Sequence, residues 1–253
     1  MNKLRACGKL ARALLHILAG FFTILLVFPR LSQEQKEIRV QAWSAAMLEC
    51  IAIKLVVVGK PAANGPLLLV ANHISWLDIT SLHAARFCRF VSKADIKKWP
   101  VIGRLATGIG TLFIERKSRR DAMRVVHHMT ESLRAGEVLA IFPEGTTSDG
   151  VNLLPFHANL FQSAILANAQ VQAVAMQFID VASGQHSAAP CYIDDDTLAG
   201  SVWRTLCSPA IAVVITFGAP KSAQGRDRRE WALALKNEIE SLRGQQTAAP
   251  VRR

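Results

Sequence analysis

Asn72 and His73 close an apolar run in VANHISWLDIT (70–80), and Asp78 follows the histidine by five positions. A carboxylate held against one nitrogen of an imidazole fixes the tautomer and leaves the other nitrogen as a base. Such a base can take the proton from an alcohol while that alcohol attacks a carbonyl. The H-x4-D spacing alone is also met by an aspartate that caps the next helix and a histidine bonded to a backbone carbonyl. Two further stretches keep it company. In GTLFIERKSRR (110–120), Arg116 stands at a strand exit with Lys117, Arg119 and Arg120 close behind. The guanidinium fork suits phosphate because it donates two parallel bonds; the plainer reading is a solvated basic loop. In FPEGTTSDG (142–150), Pro143 and Gly145 make a tight turn after an apolar run, and Thr146, Thr147 and Ser148 follow. Turn amides and hydroxyls offer donors to an anion, although a simple β-turn has the same composition. No Gly-Lys-Ser/Thr follows at P-loop spacing, and there is no G-x-S-x-G nucleophile elbow.

The elements that must hold these residues are short apolar strands alternating with helices. Strands are predicted at 67–72, 89–93, 110–115, 138–144, 171–179 and 211–218, mostly as unbroken apolar runs of the kind covered on both faces. Helices are predicted at 77–87, 119–135, 157–168 and 227–243, the last capped by Asp227 and charged on its outer side. The fold class is therefore α/β, with a mixed, largely parallel sheet flanked by helices. Open sheets of this class place their sites at strand ends. His73 and Arg116 each follow a predicted strand, and the Glu144–Gly145 pair stands at the end of another.

The 253 residues suffice for one substantial domain and an appendage. The formal net charge of +11 asks for an acidic partner, which nucleic acid, anionic lipid or phosphorylated small molecules would all satisfy. The cations are spread along the chain without an aromatic-interleaved stripe, so no nucleic acid is expected. The five cysteines form no C-x-x-C pair, which points to a reducing compartment and to neither a disulfide framework nor a zinc site. Lys3, Arg5, Lys9 and Arg12 precede an apolar run at 13–29 that is interrupted by His16 and stopped by Pro29. A second apolar stretch covers 40–58. A cleavage pattern is missing after the first, and its 17 residues are short of the about 20 that a span needs. The favoured expectation is a membrane-seeking helical pair at 1–58, seated in one leaflet, before an α/β domain at 59–253. A single spanning anchor or a soluble helical cap are the alternatives. His127 and His128 on a helix, and the aspartates 194–196 at a helix start, read as surface.

NHISWLD, GTLFIER and FPEGTTS, in this order and spacing, resemble the first three sequence blocks of the glycerolipid acyltransferases, most of all the PlsC-like bacterial 1-acylglycerol-3-phosphate acyltransferases. The likeness runs over about 65–220, with softer similarity in VSKADIKKWPVIG (91–103) and LPFHANLFQSAI (154–165). It implies a general base at His73 oriented by Asp78, with Gly110, Arg116, Glu144 and Gly145 holding the acceptor's phosphate. Asn72, Lys93 and Thr146 are possible supporting residues. The fourth block of the family usually bears a proline where this chain has Ala173, which leaves no site assignment there.

The implied reaction carries a fatty acyl group from acyl-CoA or acyl carrier protein to the sn-2 hydroxyl of 1-acylglycerol-3-phosphate, giving phosphatidic acid. Transfer is direct, without a protein nucleophile, a metal or a cofactor. No cysteine lies in a strand-end block. Amides near Gly145 are candidate donors to the thioester oxyanion. Partners would be membrane lipid, the lysophospholipid acceptor and the acyl donor, at a bacterial inner membrane with the catalytic domain facing the cytoplasm. Another acceptor such as a lyso-ornithine lipid, a lipid- or nucleic-acid-binding protein without catalysis, and a metal-free hydrolase are the other readings.

Overall fold

The computed structural model describes residues 3–114, 119–193 and 195–247. The strands are β1 (Ile53–Val58), β2 (Leu67–Ala71), β3 (Arg89–Lys93), β4 (Leu112–Ile114), β5 (Val138–Ile141), β6 (Gln170–Asp180) and β7 (Ile211–Phe217). They form one sheet in the order β1-β7-β6-β2-β5-β3-β4, in which only β6 and β7 pair antiparallel. The helices are α1 (Lys3–Phe22), α2 (Gln33–Cys50), α3 (Asp78–Ala85), α4 (Ile102–Gly108), α5 (Arg119–Arg134), α6 (Gln162–Leu166), α7 (Leu198–Cys207) and α8 (Arg228–Thr247).

The unbroken apolar strands have the cause their sequence implied. In β2, Leu67, Leu69 and Ala71 point into one core with Leu82 and Leu206, from α3 and α7. Leu68 and Val70 point into the other, with Met129, Phe161 and Trp231 from the α5, α6 and α8 side. Alternate side chains of a strand face opposite ways, and here both faces are covered. All six predicted strands are present. A seventh, β1, is a correction: the apolar stretch 40–58 is not one helix, because α2 ends at Cys50 and Ile53–Val58 pairs in parallel with Ile211–Thr216. The sheet therefore already begins within the 1–58 segment.

The two N-terminal helices differ in their surroundings. Ser32 caps α2 with a reciprocal bond to Gln35, and α2 lies on α3, where Gln41 donates to the carbonyls of Ala84 and Ala85. Its Val40, Met47 and Leu48 are buried, which is core packing rather than lipid exposure. Helix α1 buries Ala6, Ala13 and Gly20, small residues two turns apart that permit close approach. A Cβ on Gly20 would lie 2.5 Å from Trp43 Nε1. His16, an interruption in the sequence, is a clamp in the structure: its ring stacks on Trp43 at 4.9 Å and its Nε2 lies 2.9 Å from the Trp43 carbonyl. On the opposite side Leu14, Leu15, Leu18, Phe22, Leu25 and Leu26 are exposed. Among the described residues, one helix, Lys3–Arg30, is long and apolar enough to cross a membrane.

Candidate active site

Asn72 ends the approach. Its side-chain amide donates to the Met176 carbonyl at 3.0 Å and its oxygen accepts from Met176 N–H at 2.8 Å. The side chain thereby continues the β2–β6 ladder by one step and sets the direction of the next residue. His73 is then held on every side but one. Its backbone N–H donates to Glu144 at 2.7 Å, and its carbonyl accepts from Ser148 N–H at 2.8 Å and from the Ser148 hydroxyl at 3.0 Å. The imidazole stacks on Phe142 with centroids 4.1 Å apart. Its Nδ1 meets Asp78 Oδ2 at 2.7 Å. Asp78 is fully buried at the first turn of α3, where the helix dipole favours a negative charge. The same Oδ2 also accepts from Ile74 N–H at 2.6 Å and Ser75 N–H at 2.9 Å. A carboxylate at Nδ1 requires the proton there, so Nε2 carries the lone pair. Nε2 has no partner among the described residues, and the His73 side chain is 21 % exposed. The imidazole thus opens to solvent at the carboxyl end of the sheet.

Glu144 corrects one expectation. Both its oxygens are engaged, Oε1 by His73 N–H and Oε2 by Leu154 N–H at 2.9 Å. It is a buried strut between the base and the 144–154 loop rather than a contact for phosphate, which its charge would repel. Burial pushes its carboxyl above the usual range, against the pull of those two amides. Gly145 is a turn residue with φ of 75°, and its N–H is spent on the Phe142 carbonyl at 3.1 Å. It therefore supplies neither a phosphate contact nor an oxyanion donor. The next two amides, of Thr146 and Thr147, have no acceptor among the described residues. Thr146 is exposed and the Thr147 hydroxyl donates to the Tyr192 carbonyl.

Gly110 is also placed apart. It precedes β4 in the left-handed region at φ of 81°, and its carbonyl accepts from Arg89 Nε at 2.7 Å. Arg89 pairs in register with Leu139, and Leu139 with Leu68, five residues before His73. Gly110 thus serves a turn at the far end of the sheet, where Arg89 also meets Glu137. Lys93 is exposed at the carboxyl end of β3, opposite Ile114 of β4. Arg116 lies outside the described residues, as do Lys117 and Asp194. His127 and His128 are exposed, as expected. Both approach Glu131, at 3.3 and 3.9 Å, because that residue is three or four positions on from each.

Sequence reasoning missed Arg243. It closes the predicted 227–243 helix, is buried, and donates to the carbonyls of Gly150 and, at 3.0 Å, Val151. It ties the loop that carries Ser148 to α8. Cys191 lies nearby, donating to the Asp149 carbonyl at 3.3 Å; burial pushes its thiol up to about 11, so it is no thiolate nucleophile.

A histidine whose Nδ1 meets a buried carboxylate and whose side chain is partly open to solvent thus stands at the carboxyl end of an α/β sheet. The Acyltransferase family model matches residues 42–177, and the chain belongs to that family. Among its relatives, a 1-acyl-sn-glycerol-3-phosphate acyltransferase of Neisseria gonorrhoeae is 41 % identical over 72 % of this chain and 71 % of its own. A lyso-ornithine lipid O-acyltransferase of Pseudomonas aeruginosa is 39 % identical over 82 % of this chain and 79 % of its own. The crystal structure of the acyltransferase PlsC from Thermotoga maritima shares the fold, with a TM-score of 0.63 over 93 % of this chain and 98 % of that one, at 18 % identity.

Proposed function

We propose that this acyltransferase moves a fatty acyl group from a thioester to the sn-2 hydroxyl of 1-acylglycerol-3-phosphate, making phosphatidic acid, with His73 as the base. The observation that carries the reading is the His73 Nδ1–Asp78 contact of 2.7 Å with Nε2 left bare. As the acceptor oxygen bonds to the thioester carbonyl carbon, its proton passes to His73 Nε2 and the imidazolium is stabilised by Asp78. The carbonyl oxygen takes the negative charge, facing donors for which the Thr146 and Thr147 amides are the candidates. Collapse breaks the carbon–sulfur bond, and the thiolate leaves with the proton from His73. Arg116 anchors the acceptor's phosphate, with Lys93 in support. The reaction needs no metal or cofactor beyond the acyl donor, which is acyl-CoA or acyl carrier protein, both acidic partners for a basic chain. The exposed apolar side of α1 seats the enzyme in one leaflet of the bacterial inner membrane with the α/β domain in the cytoplasm.

A second acceptor is favoured by a specific observation: the relatives divide between two names at nearly equal identity, 41 % and 39 %. Lyso-ornithine lipid offers a hydroxyl to the same base and a carboxylate in place of the phosphate. The test supplies purified membranes with labelled acyl-CoA and either lysophosphatidic acid or lyso-ornithine lipid. Transfer to the phosphate lipid supports the proposal. Transfer to the ornithine lipid alone keeps the mechanism and overturns the acceptor and the anchoring assigned to Arg116.

A further inference from the structure

After Lys93 the chain leaves the sheet at the same end as His73 and passes through a 3-10 turn, Ala94–Lys98, into α4. Three large apolar side chains sit at that junction in water: Trp99, Val101 and Ile102 are 42 %, 41 % and 43 % exposed. Pro100 between them is exposed as well. This is a built knuckle. Trp99 N–H donates to the Ile96 carbonyl at 3.1 Å, and the Trp99 carbonyl accepts from Gly103 N–H at 2.9 Å. A Cβ on Gly103 would fall 2.3 Å from the Lys97 carbonyl oxygen, so the helix start is pressed directly onto the turn. Lys93, Lys97, Lys98 and Arg104, all exposed, flank the apolar tip along the chain, against one acid, Asp95. Tryptophan beside aliphatic residues with lysines around them is the composition that rests at the headgroup level of a bilayer.

Helix α4 links the knuckle to the N-terminal helical segment. At the other end of the seven-residue α4, about 10 Å away at helical rise, Gly108 abuts Ile24, whose methyl would lie 2.5 Å from an added Cβ. Phe22, Leu25 and Leu26 are exposed on that same part of the N-terminal helix. We infer that Trp99, Val101 and Ile102 insert into the interface of an anionic bilayer, as a second contact beside α1. The four cations match anionic headgroups near such a surface. The knuckle, at the carboxyl end of the sheet, holds the mouth of the site against the lipid, so the lysolipid reaches His73 without leaving the surface. The inference rests on the membrane seat assigned to α1.

The test uses the full-length protein with phosphatidylglycerol–phosphatidylcholine vesicles carrying brominated acyl chains. The Trp99 emission is isolated as wild type minus Trp99→Phe. It should shift to the blue and be quenched at least twofold, and less so on vesicles of phosphatidylcholine alone. The triple variant Trp99→Ser, Val101→Ser, Ile102→Ser, once shown to melt like wild type, should transfer to lysolipid in vesicles several-fold more slowly. Its rate on a short-chain lysolipid dissolved as monomer should be unchanged. Sedimentation with vesicles but an unquenched Trp99 component would overturn the knuckle and leave the α1 seat standing. No sedimentation at all would remove both. A blue shift that grows with protein concentration without lipid would mark a face between two copies instead.

Discussion

Replacing Asp78 by asparagine separates charge from geometry. All three contacts of Asp78 converge on Oδ2: His73 Nδ1 at 2.7 Å, Ile74 N–H at 2.6 Å and Ser75 N–H at 2.9 Å. Oδ1 is buried without a partner among the described residues. An asparagine with its oxygen in the Oδ2 position keeps every one of these bonds and places its amide nitrogen where Oδ1 was. The cost of that buried, unpartnered donor is about 1–3 kcal/mol, and the fold should survive it. What disappears is the negative charge facing the imidazolium that forms during transfer. Two unit charges about 4 Å apart at an effective dielectric of about 20 attract by about 4 kcal/mol. At about 1.36 kcal/mol per decade, the transfer rate should fall about a thousandfold. Labelled acyl-CoA and lysophosphatidic acid at saturation read this as kcat, with a thermal melt as the control for folding. A folded Asp78→Asn variant within tenfold of wild type would refute the reasoning, since it would show Asp78 to be a spacer.

Three further outcomes follow from the supports of the site. Glu144→Gln retains one acceptor and turns an amide nitrogen toward one of two N–H groups; losing that bond should cost about 2 kcal/mol, seen as a melting point about 4–8 °C lower, with slower transfer. Arg243→Met strips the Gly150 and Val151 carbonyls of their buried donor. Hydrogen exchange in peptides covering 144–154 should then quicken about 30-fold for an opening energy about 2 kcal/mol lower, while unchanged protection would show that the loop stands without α8. His83, fully buried with its Nε2 2.9 Å from the Cys88 carbonyl, has its pKa lowered by burial from 6.5 to about 4. The unfolded chain therefore binds the proton first, so this contribution is complete above pH 6.5 and is lost as pH falls toward 4. It amounts to about 3 kcal/mol, and His83→Gln should flatten the melting curve against pH over that window.

The sheet was legible because its strands are apolar on both faces and bounded by Gly, Pro and charged residues. β1 was not. Ile53–Val58 follows the apolar second half of α2 with no such boundary, and the chain turns at Ala52 with φ of 58°, which no composition announces. Of the site, His73 and Asp78 could be read because their link is local. The work of Glu144 could not, since its partners are backbone amides 71 and 10 positions away, and a carboxylate among donors reads equally well as a ligand contact. Gly110 shows the converse: its place in a block marks a turn that the fold needs, at the end of the sheet away from the base. Arg243 reaches its partners across 93 and 92 positions and belongs to no motif, so only packing reveals it. The two stretches expected to form a membrane-seeking pair part company in physical terms. Both stretches are apolar, but α2 spends its apolar side on α3 and the sheet, leaving the exposed ridge to α1.

The central claim is that His73 removes the proton from the acceptor hydroxyl. It is tested most directly by His73→Ala, read as single-turnover formation of the doubly acylated lipid together with release of the free thiol, with circular dichroism confirming the fold. A folded protein with both signals lost together is expected, the rate falling by at least a thousandfold. A folded His73→Ala enzyme that still forms the product within tenfold of the wild-type rate would contradict it.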